Sequence, residues 1–169
     1  MSKLTTDDKK FYDPNIDRKN KIYNDAFKVT KDGAPIPSII EISNSGVCNR
    51  ECSFCPRSDP GYKHVKEFFS NKLHDKLCDD LSSYNFSGIF AYCGFNEPLL
   101  KKDINRDITY ARKKLPNSKI EIVTNGDVLN KERLQKLFDS GLSTILISVY
   151  DGKKEEDEFH ELCESLNLK

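Results

Sequence analysis

The sequence predicts an α/β fold built from parallel β-α units. Four short apolar runs with strand character alternate along the chain with four stretches of helical periodicity. This alternation is typical of parallel strands joined by right-handed helical crossovers. In such sheets ligands bind at the carboxyl ends of the strands, so we expect the functional site there.

β-branched and aromatic residues mark the four strands. The third strand ends at an Asn-Gly turn, and the second is bounded by glycines. The predicted strands are residues 38–43, 88–93, 119–124 and 143–150. Functional side chains are therefore expected just after Ser43, Cys93, Thr124 and Val149.

Apolar residues at helical spacing predict four helices. They cover residues 64–83, 103–115, 130–140 and 153–168. Asp103 is the expected N-cap of the second helix, and Gly141 is typical of the residue that follows a helix end. The acidic run at residues 155–158 is interpreted as a solvated face of the last helix.

The chain divides before the first strand. Residues 1–37 are charged, show little periodicity and predict an N-terminal extension, flexible or wrapped on the surface, with one short helix at residues 19–27. Residues 38–169 form the predicted core domain with the four β-α units.

Composition excludes several classes of protein. The 169 residues include 27 Lys and Arg and 27 Asp and Glu, so the formal net charge is zero, which disfavours a nucleic-acid surface. No apolar run approaches the roughly 20 residues that span a bilayer. Residues 1–10 lack the apolar stretch of a signal peptide. We therefore expect a cytoplasmic protein with no membrane or nucleic-acid partner.

Three of the six cysteines, Cys48, Cys52 and Cys55, lie within eight residues. In a reducing compartment such a cluster indicates a metal or iron–sulfur site rather than disulfides. A loop this short can turn three sulfurs toward one four-iron cluster, which leaves one iron open to a ligand from outside the protein. Two alternatives stay open. One is a structural zinc site with a fourth ligand such as His64 or Cys78, and the other is an inert thiol-rich turn.

The remaining thiols and the histidines are expected to pack in the core or lie on the surface. Cys78, Cys93 and Cys163 are scattered, and free cysteine is among the most buried residue types. The histidines show no metal-binding spacing to one another; they are His64, His74 and His160.

The cysteine motif is one of four motifs that follow the predicted strands. Cys48, Cys52 and Cys55 form CxxxCxxC, with the aromatic Phe54 just before the third cysteine. The other three motifs are Gly94-Phe95-Asn96-Glu97-Pro98-Leu99-Leu100, Thr124-Asn125-Gly126 and Ser148-Val149-Tyr150-Asp151-Gly152. With these motifs in register, the sequence resembles the radical S-adenosylmethionine superfamily and, within it, the SPASM and MoaA-like branch.

The resemblance implies a partial TIM barrel, a [4Fe–4S] cluster on Cys48, Cys52 and Cys55, and S-adenosylmethionine bound at the open iron. The residues that it implies for holding S-adenosylmethionine are Phe54, Gly94, Asn96, Glu97, Thr124 and Ser148. In such enzymes an electron donor reduces the cluster and one electron passes to the sulfonium. Methionine and a 5′-deoxyadenosyl radical result, and the radical takes hydrogen from a substrate. The substrate and any general acid or base stay unassigned.

The sequence departs from the family pattern in two ways. Asn96 replaces a glycine of many relatives, and asparagine tolerates the left-handed backbone that such a turn needs. The family barrel resembles six β-α units, whereas four are predicted here, and no cysteine-rich C-terminal domain follows them. We expect a truncated or split enzyme whose exposed fourth strand pairs with a second chain or copy. The alternatives are a non-catalytic iron–sulfur or zinc-binding module, and an α/β domain whose cysteines are incidental.

Overall fold

The computed structural model describes residues 16–18, 20–21, 24 and 28–166. The strands there are β1 Lys28–Val29, β2 Pro35–Ile36, β3 Ile39–Ile42, β4 Ile89–Tyr92, β5 Lys119–Thr124 and β6 Thr144–Ile147. The helices are α1 Asn71–Ser83, α2 Ile104–Lys114, α3 Lys131–Asp139 and α4 Lys153–Glu164. Two short 3₁₀ helices, Pro56–Ser58 and Pro98–Leu100, follow β3 and β4.

Strands β3 to β6 form one parallel sheet in their chain order. The register pairs Ile40 with Phe90, Phe90 with Ile120, and Ile122 with Ile145. Because α1, α2 and α3 carry the chain back between successive strands, the carboxyl ends of all four strands lie along one edge. The predicted α/β class with four parallel β-α units is confirmed.

The main hydrophobic core joins one face of the sheet to the helices. Phe90 and Tyr92 of β4 and Ile120 and Ile122 of β5 are 0% exposed and pack in the same cluster as apolar side chains of α1, α2 and α3. Burying one such side chain contributes about 1.5–3 kcal/mol. The core therefore stabilises the body of the sheet and leaves its carboxyl edge to loops.

Capping residues mark the helix ends. Ser70 Oγ before α1 and Asn130 Oδ1 before α3 each accept a hydrogen bond from the backbone N–H three residues on. Gly141 follows α3 at φ +103°, as predicted. Asp103 stands at the predicted N-cap position of α2, but its carboxylate accepts a hydrogen bond from Asn71 Nδ2 rather than from the helix backbone.

The predicted helix start at residue 64 is wrong, because residues 64–70 form no helix. They run beside the loop that follows β3, where Gly46 N donates to Glu67 O and Phe69 N donates to Asn44 O. Two apolar side chains of this segment stay about half exposed. Its apparent helical periodicity therefore does not mark a buried face.

Part of the predicted N-terminal extension is structured. β1 and β2 pair as an antiparallel hairpin, with Gly33 at φ +84° in the turn. The sequence did not predict these strands, because two residues are too few to show an alternating pattern. Arg18 and Glu121 form a double hydrogen bond, at 2.7 and 3.1 Å. Residues 20, 21 and 24 are helical, whereas the rest of the helix predicted at 19–27, like residues 1–15, lies outside the described residues. The boundary at residue 37 stays a prediction.

The last strand and the last helix are shorter than predicted. β6 ends at Ile147, and the next apolar residues, Val149 and Tyr150, are 40% and 46% exposed in the loop beyond it. α4 ends at Glu164, and residues 167–168 of the predicted helix lie outside the described residues. Within the described part of the chain, no helix has the length and apolar character needed to cross a membrane.

Candidate functional site

The loops at the carboxyl edge of the sheet surround one cavity of about 300 Å³. All nine site residues expected from the sequence line it, namely Cys48, Cys52, Phe54, Cys55, Gly94, Asn96, Glu97, Thr124 and Ser148. Seven further residues line the cavity, among them Arg50, Asn125 and Tyr150. The fold thus brings the ends of all four parallel strands to the same space.

The cysteine loop, residues 48–55, carries three free, half-buried thiols. A tight turn closes its second half, since Cys55 N donates to Cys52 O at 3.0 Å. Ser58 Oγ then donates to Cys55 O at 2.7 Å, and Pro56 begins the 3₁₀ helix that leads the chain away. Local hydrogen bonds therefore shape the loop around its second and third cysteines.

Two N–H groups approach the sulfur of Cys48. The backbone N of Arg50 lies 3.5 Å from Sγ, and Asn125 Nδ2 lies 3.8 Å from it. The same Asn125 amide donates to Asn49 Oδ1 at 2.9 Å, which fixes its orientation. Hydrogen bonds to a ligand sulfur favour its thiolate form and tune the reduction potential of a bound cluster.

The donor set fits a four-iron cluster, because three cysteines of one loop line one cavity and N–H donors approach the sulfur of Cys48. Among the described residues, no group of three or more His, Cys, Asp or Glu side chains could hold a single metal ion. Thiolates of a cluster bind different irons, so they stand farther apart than the ligands of one ion. The two candidates for a fourth zinc ligand, His64 and Cys78, do not line the cavity.

Arg50 ties the cysteine loop to two neighbouring loops. Its Nε donates to both carboxylate oxygens of Asp127, at 3.0 and 2.9 Å, and its Nη2 donates to Glu155 Oε1 at 2.7 Å. Asp151 Oδ2 lies 3.3 Å from Nη1. The hydrogen bonds to Asp127 are the main cause that raises the pKa of Arg50, and they lower the pKa of Asp127 in turn. The guanidinium therefore stays charged and holds the three loops together.

Glu155 contradicts the prediction of a fully solvated acidic face. Its side chain is 12% exposed, and its Oε2 accepts hydrogen bonds from the backbone N of Tyr150 at 2.7 Å and of Asp151 at 2.8 Å. The rest of the acidic run pairs with lysines of the same helix, as Asp157 does with Lys153 at 2.9 Å. A run of like charges does not reveal which member turns toward an arginine on another loop.

Glu97 joins the loops after β4 and β5. It is 1% exposed, and its Oε1 accepts hydrogen bonds from Leu99 N at 2.9 Å and Thr124 Oγ1 at 2.6 Å, while its Oε2 accepts one from Asn125 N at 2.8 Å. Thr124 Oγ1 in turn accepts a hydrogen bond from Gly126 N at 3.0 Å. Because these polar atoms already bond to one another, Glu97 and Thr124 position the cavity wall.

The turn after β4 depends on Gly94, which lies at φ +124°. A Cβ there would lie 2.1 Å from Ser43 Oγ, so no other residue fits without a shift. The expected left-handed backbone at Asn96 is wrong, because among the described non-glycine residues Asn85 alone has a positive φ. Asn96 Nδ2 donates to Asn44 Oδ1 at 2.9 Å, whereas Asn96 Oδ1 is buried with no hydrogen-bond partner in the described part of the chain. Because Asn96 lines the cavity, this oxygen can accept a hydrogen bond from a group that enters it.

Three exposed aromatic residues line the cavity, namely Phe54, Phe95 and Tyr150. Phe54 and Tyr150 are 69% and 46% exposed, and their ring centroids lie 5.2 Å apart. Phe95 is 56% exposed, and its carbonyl oxygen accepts a hydrogen bond from Arg57 Nη1 at 3.2 Å. Ser148, which is half-buried, completes the wall on the β6 side.

The remaining cysteines lie outside this cavity. Cys78 is 0% exposed, as predicted, and packs near His74, which is also 0% exposed and lies 2.9 Å from Tyr92 OH. Cys93 and Cys163 are half-buried rather than buried. The first follows β4 at the carboxyl edge, and the second lies on α4, none of whose residues is fully buried.

Sequence reasoning missed Arg50, Asn125, Asp127 and Tyr150 as site residues. Each lies within or beside one of the four motifs that follow the strands. This nearness to a motif could have marked them as site residues. The pairing of Arg50 with Asp127 spans 77 positions, so no local pattern could reveal it.

Three characterised relatives resemble this chain. An S-adenosyl-L-methionine-dependent 2-deoxy-scyllo-inosamine dehydrogenase of Niallia circulans is 32% identical over 117 residues, 69% of this chain and 46% of that protein. A GTP 3',8-cyclase of Aquifex aeolicus is 32% identical over 128 residues, 71% of this chain and 37% of that protein. An Fe-coproporphyrin III synthase of Methanosarcina barkeri is 28% identical over 152 residues, 80% of this chain and 36% of that protein. The chain thus spans less than half the length of these relatives.

Two solved structures share the fold. BtrN in complex with AdoMet and 2-DOIA superposes with a TM-score of 0.68 and 29% identity, over 76% of this chain and 51% of BtrN. Selenomethionine BtrN in an open conformation gives a TM-score of 0.62 and 30% identity, over 72% of this chain and 54% of BtrN. This likeness confirms the predicted class, parallel β-α units of a partial TIM barrel.

The sequence also matches the family described as the Radical SAM superfamily over residues 42–167. That range contains all four motifs at the carboxyl edge of the sheet. The SPASM and MoaA-like branch stays a prediction. The chain belongs to the radical S-adenosylmethionine superfamily, whose cofactors are a [4Fe–4S] cluster and S-adenosylmethionine.

Proposed function

We propose that this chain binds a [4Fe–4S] cluster through Cys48, Cys52 and Cys55 and cleaves S-adenosylmethionine reductively. The bound, reduced cluster would supply one electron to the sulfonium, which yields methionine and a 5′-deoxyadenosyl radical that takes a hydrogen atom from the substrate. The substrate stays unassigned, because the relatives named above are a dehydrogenase, a cyclase and a synthase.

The observation that carries this proposal is the cavity of about 300 Å³ that the cysteine loop lines at the carboxyl edge. Three free thiols of the cysteine loop open on it together with residues from the ends of β4, β5 and β6. Three protein ligands leave one iron of a four-iron cluster for a ligand that is not protein. A cavity of about 300 Å³ next to those thiols gives that ligand a place.

The polar groups around the cavity suit a charged amino acid moiety. Asn96 Oδ1 is a buried acceptor without a partner among the described residues, so it would accept a hydrogen bond from an ammonium group. Gly94 lets the backbone approach closely, since it carries no Cβ at φ +124°. Glu97 acts behind this surface, where it holds the loops after β4 and β5 in place.

Anaerobic reconstitution with iron and sulfide tests the proposal. After dithionite reduction in the presence of S-adenosylmethionine, mass spectrometry should detect 5′-deoxyadenosine and methionine. The variants Cys48→Ala, Cys52→Ala and Cys55→Ala should give none. Cys163→Ala is the matched control, because that half-buried thiol lies on α4 and does not line the cavity, and its yield should equal that of the wild type.

The same experiment distinguishes the proposed activity from the alternative, which is a non-catalytic module or a subunit that needs a partner chain. A protein that loads its cluster and forms no 5′-deoxyadenosine contradicts reductive cleavage by this chain. We also propose a reducing electron donor, pairing of the β6 edge with a second chain or a second copy of this chain, and a cytoplasmic location. The three free thiols support the location, because iron–sulfur ligands persist in a reducing compartment.

A further inference from the structure

The second half of the cysteine loop is shaped by its own residues. Cys55 N donates to Cys52 O at 3.0 Å, and Ser58 Oγ donates to Ser53 O at 3.0 Å. These partners lie three to five positions apart in the sequence. The turn between the last two cysteines therefore forms from local contacts.

The first half of the loop depends on the loop after β5 instead. Asn49 Nδ2 donates to Asp127 Oδ2 at 2.7 Å, and Asn49 Oδ1 accepts a hydrogen bond from Asn125 Nδ2 at 2.9 Å. Arg50 Nε donates to both carboxylate oxygens of the same Asp127. These partners lie 76 to 78 positions further along the chain. The backbone between the first two cysteines is therefore held by tertiary contacts.

Arg50 extends this attachment to a third loop. Its Nη2 donates to Glu155 Oε1 at 2.7 Å, and Glu155 Oε2 accepts hydrogen bonds from the backbone N of Tyr150 and Asp151. The guanidinium also lies 5.6 Å from the centre of the Tyr150 ring, a distance typical of a cation–π contact. One side chain, 17% exposed, thus connects the cysteine loop to the loop after β6.

The order of the cysteine loop bears on cluster binding. Fixing a flexible backbone costs conformational entropy, and a loop that is already ordered does not incur that cost when a ligand binds. Three sulfurs must converge on one cluster, so the conformation of the first half decides where Cys48 lies relative to the other two cysteines. Ser148 and Tyr150 line the same cavity, so the loops that Arg50 connects also surround the ligand.

We propose that Arg50 is a positioning residue. Its bridge to Asp127 and Glu155 holds the first half of the cysteine loop in the conformation that binds the cluster, and it couples this conformation to the loop after β6. The inference rests on the proposed function and adds to it that the cluster and S-adenosylmethionine order the same loops. Each therefore strengthens the binding of the other through Arg50.

Hydrogen exchange of the cluster-free chain tests the bridge without any cofactor. Arg50→Ala should speed exchange of the amide protons of residues 48–52 and 150–151 about tenfold, because these segments lose the charge-assisted contacts that hold them. Residues 53–58 should exchange as in the wild type, since their contacts are local.

Two further variants serve as controls in the same measurement. Arg50→Lys should recover part of the protection, because lysine keeps the charge but lacks the planar fork that bonds two carboxylates. Arg106→Ala is the matched control and should leave the three loops unchanged. Arg106 bonds Asp75 and Asp107 on the helices, and it does not line the cavity.

Iron loss from the reconstituted protein tests the coupling. With excess EDTA under anaerobic conditions, Arg50→Ala should lose iron about tenfold faster than the wild type, and Arg50→Lys should lie between them. S-adenosylmethionine should slow this loss by a larger factor in the wild type than in Arg50→Ala, because the variant no longer links the cysteine loop to the loop after β6.

The outcomes distinguish this inference from the proposed function. Exchange and iron loss in Arg50→Ala equal to those of the wild type would overturn the positioning role. Faster exchange throughout the chain, an equal effect of Arg106→Ala on the three loops, or no recovery in Arg50→Lys would overturn it too. A wild type that takes up no cluster would overturn the proposed function, whereas the exchange data would still report the bridge in the cluster-free chain.

Discussion

Cys78 and the three cysteines of the cavity are the same residue type in opposite surroundings. Cys78 is 0% exposed on the buried face of α1, and burial, helped by nearby carboxylates, raises the pKa of its thiol to about 12. Cys48, Cys52 and Cys55 are half-buried on a cavity, and two N–H groups approach the sulfur of the first. A thiol that stays protonated packs as a small apolar group, whereas a thiolate can bind iron.

The buried polar groups of the core and of the carboxyl edge also differ in their surroundings. In the core, Lys101 Nζ lies 2.6 Å from Asp107 Oδ2, and His74 Nε2 lies 2.9 Å from Tyr92 OH. At the carboxyl edge, Asn96 Oδ1 is buried without a partner in the described part of the chain. Two more atoms of the described residues are buried without a partner, Arg18 Nε and Ser38 Oγ, but neither residue lines the cavity. The helix-covered face thus maintains the fold, and the carboxyl edge is built to receive a ligand.

The largest expected difference between the two regions lies in cluster content. Cys52→Ala should abolish stable cluster loading, because two remaining thiolates hold a four-iron cluster poorly. Cys78→Ala should retain the cluster, since that thiol lies in the core. Iron and sulfide analysis after reconstitution measures both variants. Full cluster occupancy in Cys52→Ala would remove that residue from the ligand set.

Replacing the glycine of the loop after β5 should destabilise the protein more than replacing the glycine of the β1–β2 hairpin turn. Gly126 lies at φ +79° in the edge loop, and a Cβ there would come 2.3 Å from Phe159 Cζ. Gly33 lies at φ +84° in the hairpin turn with nothing within 4 Å. Both substitutions strain a backbone with positive φ, and Gly126→Ala also makes its Cβ overlap with the Phe159 ring. Gly126→Ala should therefore lower the free energy of unfolding by about 3 kcal/mol, and Gly33→Ala by about 1 kcal/mol. Urea denaturation of both variants checks this, and equal losses would contradict the contact with Phe159.

Glu97 should matter for both stability and ligand binding. Glu97→Ala leaves three donors without their acceptor and should cost about 2 kcal/mol in the free energy of unfolding. It should also weaken S-adenosylmethionine binding while the cluster stays intact, because the loops after β4 and β5 lose their link. Glu132→Ala is the control, since that side chain is 78% exposed. Unchanged S-adenosylmethionine affinity in Glu97→Ala would remove Glu97 from the site.

The smallest expected effect is a pH dependence that originates in the core. Burial lowers the pKa of His74 below 6.5, so between the two values the unfolded chain binds a proton that the folded chain does not. Stability should therefore fall as pH drops below 6.5, by at most about 1.4 kcal/mol per pH unit. His74→Gln should flatten this part of the stability profile, whereas His160→Gln, on the exposed face of α4, should not. Identical profiles in wild type and His74→Gln would show that His74 does not carry the effect.

The sequence predicts what depends on neighbouring residues. The isoleucines of β3, the buried run of β4 and the β-branched run of β5 are local patterns, and all three strands form. The site residues could be predicted for the same reason, because each motif directly follows a strand and parallel strands end along one edge. The nine expected residues therefore meet at one cavity.

What the sequence could not predict depends on distant contacts. Residues 64–70 have helical periodicity but bond to the loop after β3 instead. Arg50 donates hydrogen bonds to Asp127 in the loop after β5 and to Glu155 in the first turn of α4. In the sequence, Glu155 had the same local surroundings as its solvated neighbours. The family resemblance places Asn96 where many relatives have a glycine, yet the positive φ of this turn lies at Gly94 and not at Asn96.

Electron paramagnetic resonance of the reduced, reconstituted protein tests the central claim, a three-cysteine cluster with one open iron beside the cavity. The account predicts a [4Fe–4S] signal that changes when S-adenosylmethionine is added, because the ligand reaches an iron that no protein group binds. An unchanged signal from a protein with full cluster content would contradict the account, since it would mean that the fourth iron is closed to the ligand.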